Sequence, residues 1–170
     1  APLPVDVTQR GAVAAALLFW ALDLGLPHLL ARPDELPILR QTVLAAQGVF
    51  DYDWAVYPPA YLYAHWLWGE AWLHLQEWLG IAATADYATV WQRDPQRLYL
   101  VQRALSATCG TAAVALVGVA VRRRLGRAAG LCAAWWLAVC FLHARDSHAI
   151  KPDAMLSLAI AAAVVLAARL

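Results

Sequence analysis

Apolar residues occur along this chain in long blocks rather than at alternating positions. A helix needs roughly 20 apolar residues to cross a lipid bilayer, and four blocks come near that length. They predict membrane-spanning helices over residues 11–30, 98–121, 128–142 and 154–170. The first predicted span carries one acid, Asp23, and the last two are short for a span.

A fifth apolar stretch, residues 59–81, is too polar to be predicted as a span. Glu70, His74 and Glu77 follow each other at spacings of four and three, which puts them on one stripe of a helix. Carboxylates inside hydrocarbon are expensive, whereas Trp rings are favoured at the membrane–water interface. We therefore predict an amphipathic helix lying flat at the interface, with an apolar side formed by Trp66, Leu67, Leu73 and Trp78.

The basic residues predict the orientation of these helices. Arg122, Arg123, Arg124 and Arg127 cluster between the second and third predicted spans, and short Arg-rich loops face the cytoplasm. Residues 31–97 and 143–153 then lie on the non-cytoplasmic side and hold ten of the 12 acids. If residues 59–81 crossed the membrane instead, the Arg cluster would face outward. We predict one multi-pass domain over residues 1–170 in a bacterial-type plasma (inner) membrane.

The outer stretch, residues 31–97, contains signals for two juxtamembrane helices. Asp34 can cap a helix from Glu35 to Gln47 that ends at Gly48, and Pro59 suits the first turn of the second helix. Residues 86–95 are predicted to be a polar linker. The predicted fold is thus an all-α integral membrane protein with four transmembrane helices and two juxtamembrane amphipathic helices.

Composition supports a membrane protein. Hydrophobic residues make up 62% of the chain and charged residues 15%, against roughly a quarter charged in soluble domains, so a water-soluble domain is excluded. The net charge is +1, the Arg cluster is explained by topology, and no nucleic-acid motif is present. The three cysteines lie in apolar runs without metal-type spacing, which favours a role in helix packing.

Two acidic positions are the candidates for chemistry. Asp34 and Glu35 follow the first predicted span, and Asp153 precedes the fourth. In the four-span topology both positions lie at the same membrane edge. Carboxylates there could hold a divalent cation, or one could act as a general base on an acceptor hydroxyl. The alternative is that Asp34 and Asp153 are only helix caps.

Basic side chains and a histidine lie close to Asp153 in the sequence. Arg145, His148 and Lys151 precede Asp153 and could meet a phosphate group. The alternative is that they are interfacial residues whose charged ends reach the lipid headgroups.

The order of these features resembles the amino-terminal part of GT-C fold membrane glycosyltransferases, in particular the protein O-mannosyltransferase and aminoarabinose-transferase branch. The resemblance covers residues 11–170 and rests on five motifs in sequence. They are Pro33-Asp34-Glu35, Val56-Tyr57-Pro58-Pro59-Ala60-Tyr61-Leu62-Tyr63, Gln102-Arg103-Ala104-Leu105-Ser106, the basic turn from Arg123 to Arg127, and Lys151-Pro152-Asp153-Ala154-Met155-Leu156.

The resemblance implies a transferase that takes a sugar from a polyprenyl-phosphate donor at the non-cytoplasmic face. Asp34 then matches the family's catalytic acid, with Glu35 beside it. Asp153 matches the second acid, which helps to hold a metal in some members. Tyr57, Arg145, His148 and Lys151 become candidate substrate-binding residues. Some relatives carry an acid where this chain has Tyr57, which weakens the expectation of a metal.

Chain length keeps a second function open. Members of that family have many more spans, so we interpret the chain as the amino-terminal portion of such an enzyme or as a shortened descendant. The alternative function is a small non-catalytic membrane subunit that packs with other membrane subunits, for example in a respiratory or photosynthetic assembly.

Overall fold

The computed structural model describes residues 33–50, 57–81 and 86–167, so the predicted span over residues 11–30 lies outside the described residues. Within these ranges the chain forms seven helices and no strand, which confirms the all-α prediction for them. The helices are α1 Glu35–Ala46, α2 Pro59–Trp78, α3 Tyr87–Arg93, α4 Pro95–Leu125, α5 Arg127–Val139, α6 Phe141–Ser147 and α7 Pro152–Ala167.

The contacts within the chain divide it into two compact units. The amino-terminal unit is described over residues 33–105 and the carboxy-terminal unit over residues 106–167, so that α4 contributes to both. The prediction of a single membrane domain stays a prediction, and each unit is considered by itself.

Helices α1 and α2 end by the same mechanism. Gly48 follows the last turn of α1 at φ 81°, and Val49 N–H donates to the Leu44 carbonyl at 3.0 Å. Gly80 follows α2 at φ 69°, and Ile81 N–H donates to the Gln76 carbonyl at 2.9 Å. Glycine adopts this left-handed conformation without steric cost, so these hydrogen bonds can close the helix ends.

The start of α2 agrees with the sequence prediction, but the predicted linker does not. Helix α2 begins at Pro59, as expected. Residues 86–95 include a third helix, α3, which Asp86 caps by accepting a hydrogen bond from Thr89 N–H at 2.7 Å. Proline disfavours a helical conformation in the residue before it, so Pro95 ends α3 at Asp94 and opens α4. The linker prediction was therefore wrong for residues 87–93.

Helix α1 packs against both α2 and α3 in the amino-terminal unit. The buried apolar side chains come from all four helices of the unit and include Ile38, Leu39, Leu62, Leu73, Tyr87, Val90, Leu98 and Val101. Removal of this apolar surface from water is the main source of the unit's stability.

Small residues bring helices together in the carboxy-terminal unit. A Cβ atom built on Gly130 of α5 would lie 2.7 Å from the carbonyl oxygen of Gly118 in α4. Glycine at position 130 therefore permits a backbone approach that alanine would prevent. Beside this contact, Val114 and Ala138 form a small buried cluster packed with Ala134, Leu137 and Ala144.

One helix among the described residues, α4, is long and apolar enough to cross a membrane. It has 31 residues and contains the predicted span 98–121. The predicted span 128–142 corresponds to α5 and part of α6, which are bent by 63° at Cys140, and this pair would be a second span if it is counted as one. Helix α7 covers residues of the fourth predicted span, but it is a shorter apolar helix of 16 residues.

Candidate functional site

The adjacent acids at the start of α1 have opposite environments. Glu35 is 0% exposed, whereas Asp34 is exposed at the N-cap position. The Asp34 side chain makes no capping hydrogen bond, so the structure does not support the interpretation that this residue is only a cap. Both residues were candidates from the sequence, and only Asp34 is exposed in the structure.

Glu35 forms a two-point ion pair with Arg103 of α4. Arg103 donates from Nε to Glu35 Oε1 at 3.0 Å and from Nη2 to Glu35 Oε2 at 2.6 Å. Arg103 is 2% exposed, and its guanidinium also lies 5.7 Å from the ring centroid of Tyr99. Parallel hydrogen bonds of this kind fix both distance and orientation. The pair therefore ties the first residue of α1 to α4, directly beside Asp34.

Tyr57 lies where the chain enters α2. It is partly exposed, and its ring meets that of Tyr61 edge to face, with centroids 5.6 Å apart. Tyr61 is itself buried. This aromatic contact holds Tyr57 next to the first turn of α2, and its predicted role in substrate binding stays a prediction.

The second predicted group of residues belongs to the carboxy-terminal unit. Arg145 donates from Nε to Asp146 Oδ1 at 2.8 Å and from Nη2 to Asp146 Oδ2 at 3.1 Å. His148 and Lys151 are partly exposed in the turn after α6, and Asp153 is exposed in the first turn of α7. Asp153 is thus inside the helix rather than its cap.

Carboxylates at Asp34 and Asp153 were predicted as ligands for a divalent cation. No cluster of three or more His, Cys, Asp or Glu side chains suited to a metal occurs in residues 33–50, 57–81 and 86–167. Asp34 and Asp153 belong to different compact units. The metal site therefore stays a prediction.

A buried chain of polar side chains in the amino-terminal unit was not predicted. His65 Nδ1 lies 2.6 Å from Gln102 Oε1, and Gln102 Nε2 donates to the Tyr87 hydroxyl at 2.7 Å. Tyr87 also hydrogen-bonds Thr42, whose hydroxyl donates to the Leu39 carbonyl at 2.8 Å. These contacts connect α1, α2, α3 and α4.

The Gln102 amide fixes the direction of two of these bonds. Its nitrogen donates to the Tyr87 hydroxyl, so its oxygen faces His65. An amide oxygen can only accept, so His65 donates to it from Nδ1–H.

Burial favours the neutral form of His65. Removal from water lowers the pKa of His65 to about 4, although the hydrogen bond to Gln102 opposes the change. Burial, together with the negative charge of Glu70, also raises the pKa of Tyr87 well above its usual value. The sequence suggested only an interfacial role for His65 and could not identify Gln102 as its partner, because the two residues are 37 positions apart.

Comparisons with protein-family models, with curated proteins and with solved structures find no match to this chain. The resemblance to GT-C glycosyltransferases therefore stays a prediction from the sequence motifs.

Proposed function

We propose that this chain is a GT-C-type glycosyltransferase, or the amino-terminal module of one, acting at the non-cytoplasmic face of a bacterial-type plasma membrane. Its substrate would be a sugar carried on a polyprenyl phosphate. The observation that carries the proposal is the contrast between Asp34, which is exposed at the start of α1, and Glu35, which is fixed by Arg103. A general base must be reached by the acceptor and held in position; the exposure of Asp34 supports the first requirement, and the ion pair of the neighbouring Glu35 supports the second.

In the proposed reaction Asp34 accepts a proton from the acceptor's hydroxyl or amine group. The deprotonated oxygen or nitrogen attacks the anomeric carbon of the sugar, and the bond from that carbon to the phosphate oxygen breaks. The bonding electrons leave with the polyprenyl phosphate. Glu35 is a positioning residue in this scheme, because Arg103 engages both of its oxygens.

The carboxy-terminal group would serve the leaving phosphate. Lys151 is the cation proposed to stabilise its developing charge, with Arg145 and His148 beside it in sequence. Arg145 would have to exchange its hydrogen bonds with Asp146 for bonds to phosphate. Asp153 is the proposed second acid, and a divalent cation there remains part of the proposal only.

The test is sugar transfer by the full chain in lipid vesicles, with a polyprenyl-phosphate sugar as donor. We expect Asp34→Asn to lower turnover by about 10²- to 10⁴-fold, the usual contribution of a general base. The matched control is Asp86→Asn, an exposed acid of the same unit whose capping role asparagine can fill. Undiminished turnover in Asp34→Asn would eliminate the proposed base.

The alternative function, a non-catalytic membrane subunit, draws support from large apolar side chains exposed in the carboxy-terminal unit. Trp135, Trp136 and Phe141 are 58%, 73% and 74% exposed. Such side chains could face either lipid or another subunit. Purification in mild detergent tests this alternative, which predicts that the chain travels with other subunits and transfers no sugar.

A further inference from the structure

Four arginines lie where α4 ends and α5 begins. Arg122, Arg123 and Arg124 belong to the last turn of α4, and Arg127 is the first residue of α5. All four side chains are exposed. We call these four residues the arginine collar. The sequence analysis used them only to orient the helices, and what they bind is a separate question.

The turn that carries the arginine collar is short and well defined. A single residue, Gly126, separates the two helices at φ 91°, a left-handed conformation that glycine adopts without steric cost. Gly126 N–H donates to the Arg122 carbonyl at 3.1 Å. A Cβ built on Gly130 of α5 would lie 2.6 Å from Arg122 Cβ, so α5 packs directly on the base of the Arg122 side chain. The arginines are therefore held close together on two helices.

The spacing of the arginines determines what kind of ligand they suit. Consecutive residues of a helix point about 100° apart, because one turn takes about 3.6 residues. Arg122, Arg123 and Arg124 therefore spread around the end of α4 and do not converge on one point. Such an arrangement suits several anions that lie side by side in a layer better than one enclosed anion.

The positive charge of the arginine collar is not balanced within its own helices. Neither α4 nor α5 contains an Asp or a Glu, and the sequence has no acid between Asp94 and Asp146. Cations at the end of α4 are also favoured by the negative end of the helix dipole. The collar is thus a concentrated basic surface that suits anionic groups.

The surroundings of the arginine collar are apolar. Leu125 is exposed in the turn itself, Val119 is exposed on α4, and Trp135 and Trp136 are exposed on α5. A water-soluble polyanion bound to the collar would leave this apolar surface in water, which is unfavourable. A lipid bilayer with anionic headgroups covers the apolar side chains and supplies the anions together. Tryptophan and arginine are both at home in such a layer.

We propose that the arginine collar binds the phosphate groups of anionic phospholipids at one edge of the bilayer that α4 would cross. A guanidinium group can donate two parallel hydrogen bonds to a phosphate, and an anionic membrane surface attracts clustered arginines. The inference rests on the membrane placement of α4 that the proposed function also assumes, but it does not depend on sugar transfer.

Native mass spectrometry of the full chain in detergent tests this lipid binding. The chain is titrated with phosphatidylglycerol and, separately, with zwitterionic phosphatidylcholine that has the same acyl chains. The test variant is Arg122→Gln with Arg123→Gln. The matched control is Arg40→Gln with Arg93→Gln, which removes the same charge from exposed positions on α1 and α3.

We expect the native chain to bind phosphatidylglycerol more tightly than phosphatidylcholine. An arginine near an anionic surface contributes about fivefold to affinity, so the test variant should bind phosphatidylglycerol about 25-fold more weakly. The control variant should lose much less. Equal affinity of the native chain for the two lipids overturns the proposal. Equal losses in the test and control variants also overturn it, because net charge alone would then explain the binding.

A conservative variant and a free anion complete the test. Arg122→Lys with Arg123→Lys keeps both charges and should retain most of the affinity for phosphatidylglycerol. A loss as large as that of the glutamine variant contradicts binding through charge. Inorganic phosphate at the same concentration as the lipid should not displace it, and displacement would assign the site to free phosphate instead. None of these measurements involves sugar transfer, so their failure leaves the Asp34 assay unaffected.

Discussion

The two compact units differ in what brings their helices together. In the amino-terminal unit, directional polar contacts join helices that are distant in sequence: the pair of Glu35 and Arg103, and the chain from His65 to Leu39. In the carboxy-terminal unit His143 Nε2 lies 3.2 Å from the Gly110 carbonyl oxygen, but the close backbone contacts depend on small residues such as Gly118 and Gly130. Directional contacts fix side-chain geometry, whereas small-residue packing fixes backbone distance. The amino-terminal unit is therefore the better candidate to hold a reacting group in place.

The substitution with the largest expected effect on stability removes one member of the buried ion pair. Arg103→Met leaves the Glu35 carboxylate buried without its partner, and losing one member of such a pair costs about 3–5 kcal/mol. We expect a large fall in the melting temperature, measured by circular dichroism in detergent.

The double variant Glu35→Gln with Arg103→Met separates charge from packing. It should recover part of the lost stability, because no uncompensated charge remains in the interior. Glu77→Gln is the surface control, since its contact with His74 is partly exposed, and it should change stability little. A melting temperature unaffected by Arg103→Met would mean that the pair does not hold the unit together.

The second test is pH, which should act through His65. The folded pKa of about 4 lies below the ordinary value of 6.5, so the unfolded chain takes up a proton first as the pH falls. The stability that the neutral His65 contributes is therefore fully present above pH 6.5. It is lost as the pH falls to about 4. At about 1.4 kcal/mol per pKa unit, the loss is roughly 3 kcal/mol.

Histidine substitutions identify the source of this acid loss. Thermal unfolding across that pH range should keep the decline in His74→Gln, because His74 is an exposed residue of the same helix. The decline should disappear in His65→Gln, whatever its stability at neutral pH. A decline of the same size in His65→Gln would assign it to other groups.

The third test compares one glycine from each unit. A Cβ at Gly69 would overlap the Tyr87 hydroxyl and approach Gln102 Nε2 at 2.6 Å, so Gly69→Ala meets side chains. A Cβ at Gly130 meets the Gly118 carbonyl oxygen at 2.7 Å, which is backbone. Both substitutions should destabilise by about 1–3 kcal/mol, as overpacking usually does.

The two glycines should differ in how they can be rescued. Tyr87→Phe removes the overlapping hydroxyl, so its cost and that of Gly69→Ala should be less than additive in a double-mutant cycle. The cost of Gly130→Ala should not be relieved by Arg122→Ala, because alanine keeps the Arg122 Cβ and no substitution removes the Gly118 carbonyl oxygen. Strict additivity of Gly69→Ala and Tyr87→Phe would contradict this account.

Local signals in the sequence predicted much of the helix pattern. Gly48 after α1 and Pro59 at the start of α2 lie where the local chemistry indicated. Helix α3 was missed, although Asp86 stands three residues before the Thr89 N–H that it caps. Pro95 and the polar composition of residues 86–95 favoured a linker there. So short a helix is stabilised by its contacts with α1, which the local sequence does not reveal.

The site was only partly predictable, for a different reason. Asp34 and Glu35 could be named as candidates, but the burial of Glu35 depends on its ion pair with Arg103, which is 68 residues away in the sequence. The periodicity of α2 predicted an amphipathic helix. It could not predict that Leu73 faces protein and Leu67 faces outward, because periodicity does not identify the neighbours of a helix.

The long sequence separation between Glu35 and Arg103 has a consequence for biosynthesis. The carboxylate is synthesised first and must stay hydrated until the guanidinium emerges, because neither charge is tolerated alone in an apolar interior. The amino-terminal unit can therefore close only after the ribosome has completed the first turns of α4. A chain halted before Arg103 should therefore leave the amino-terminal unit open.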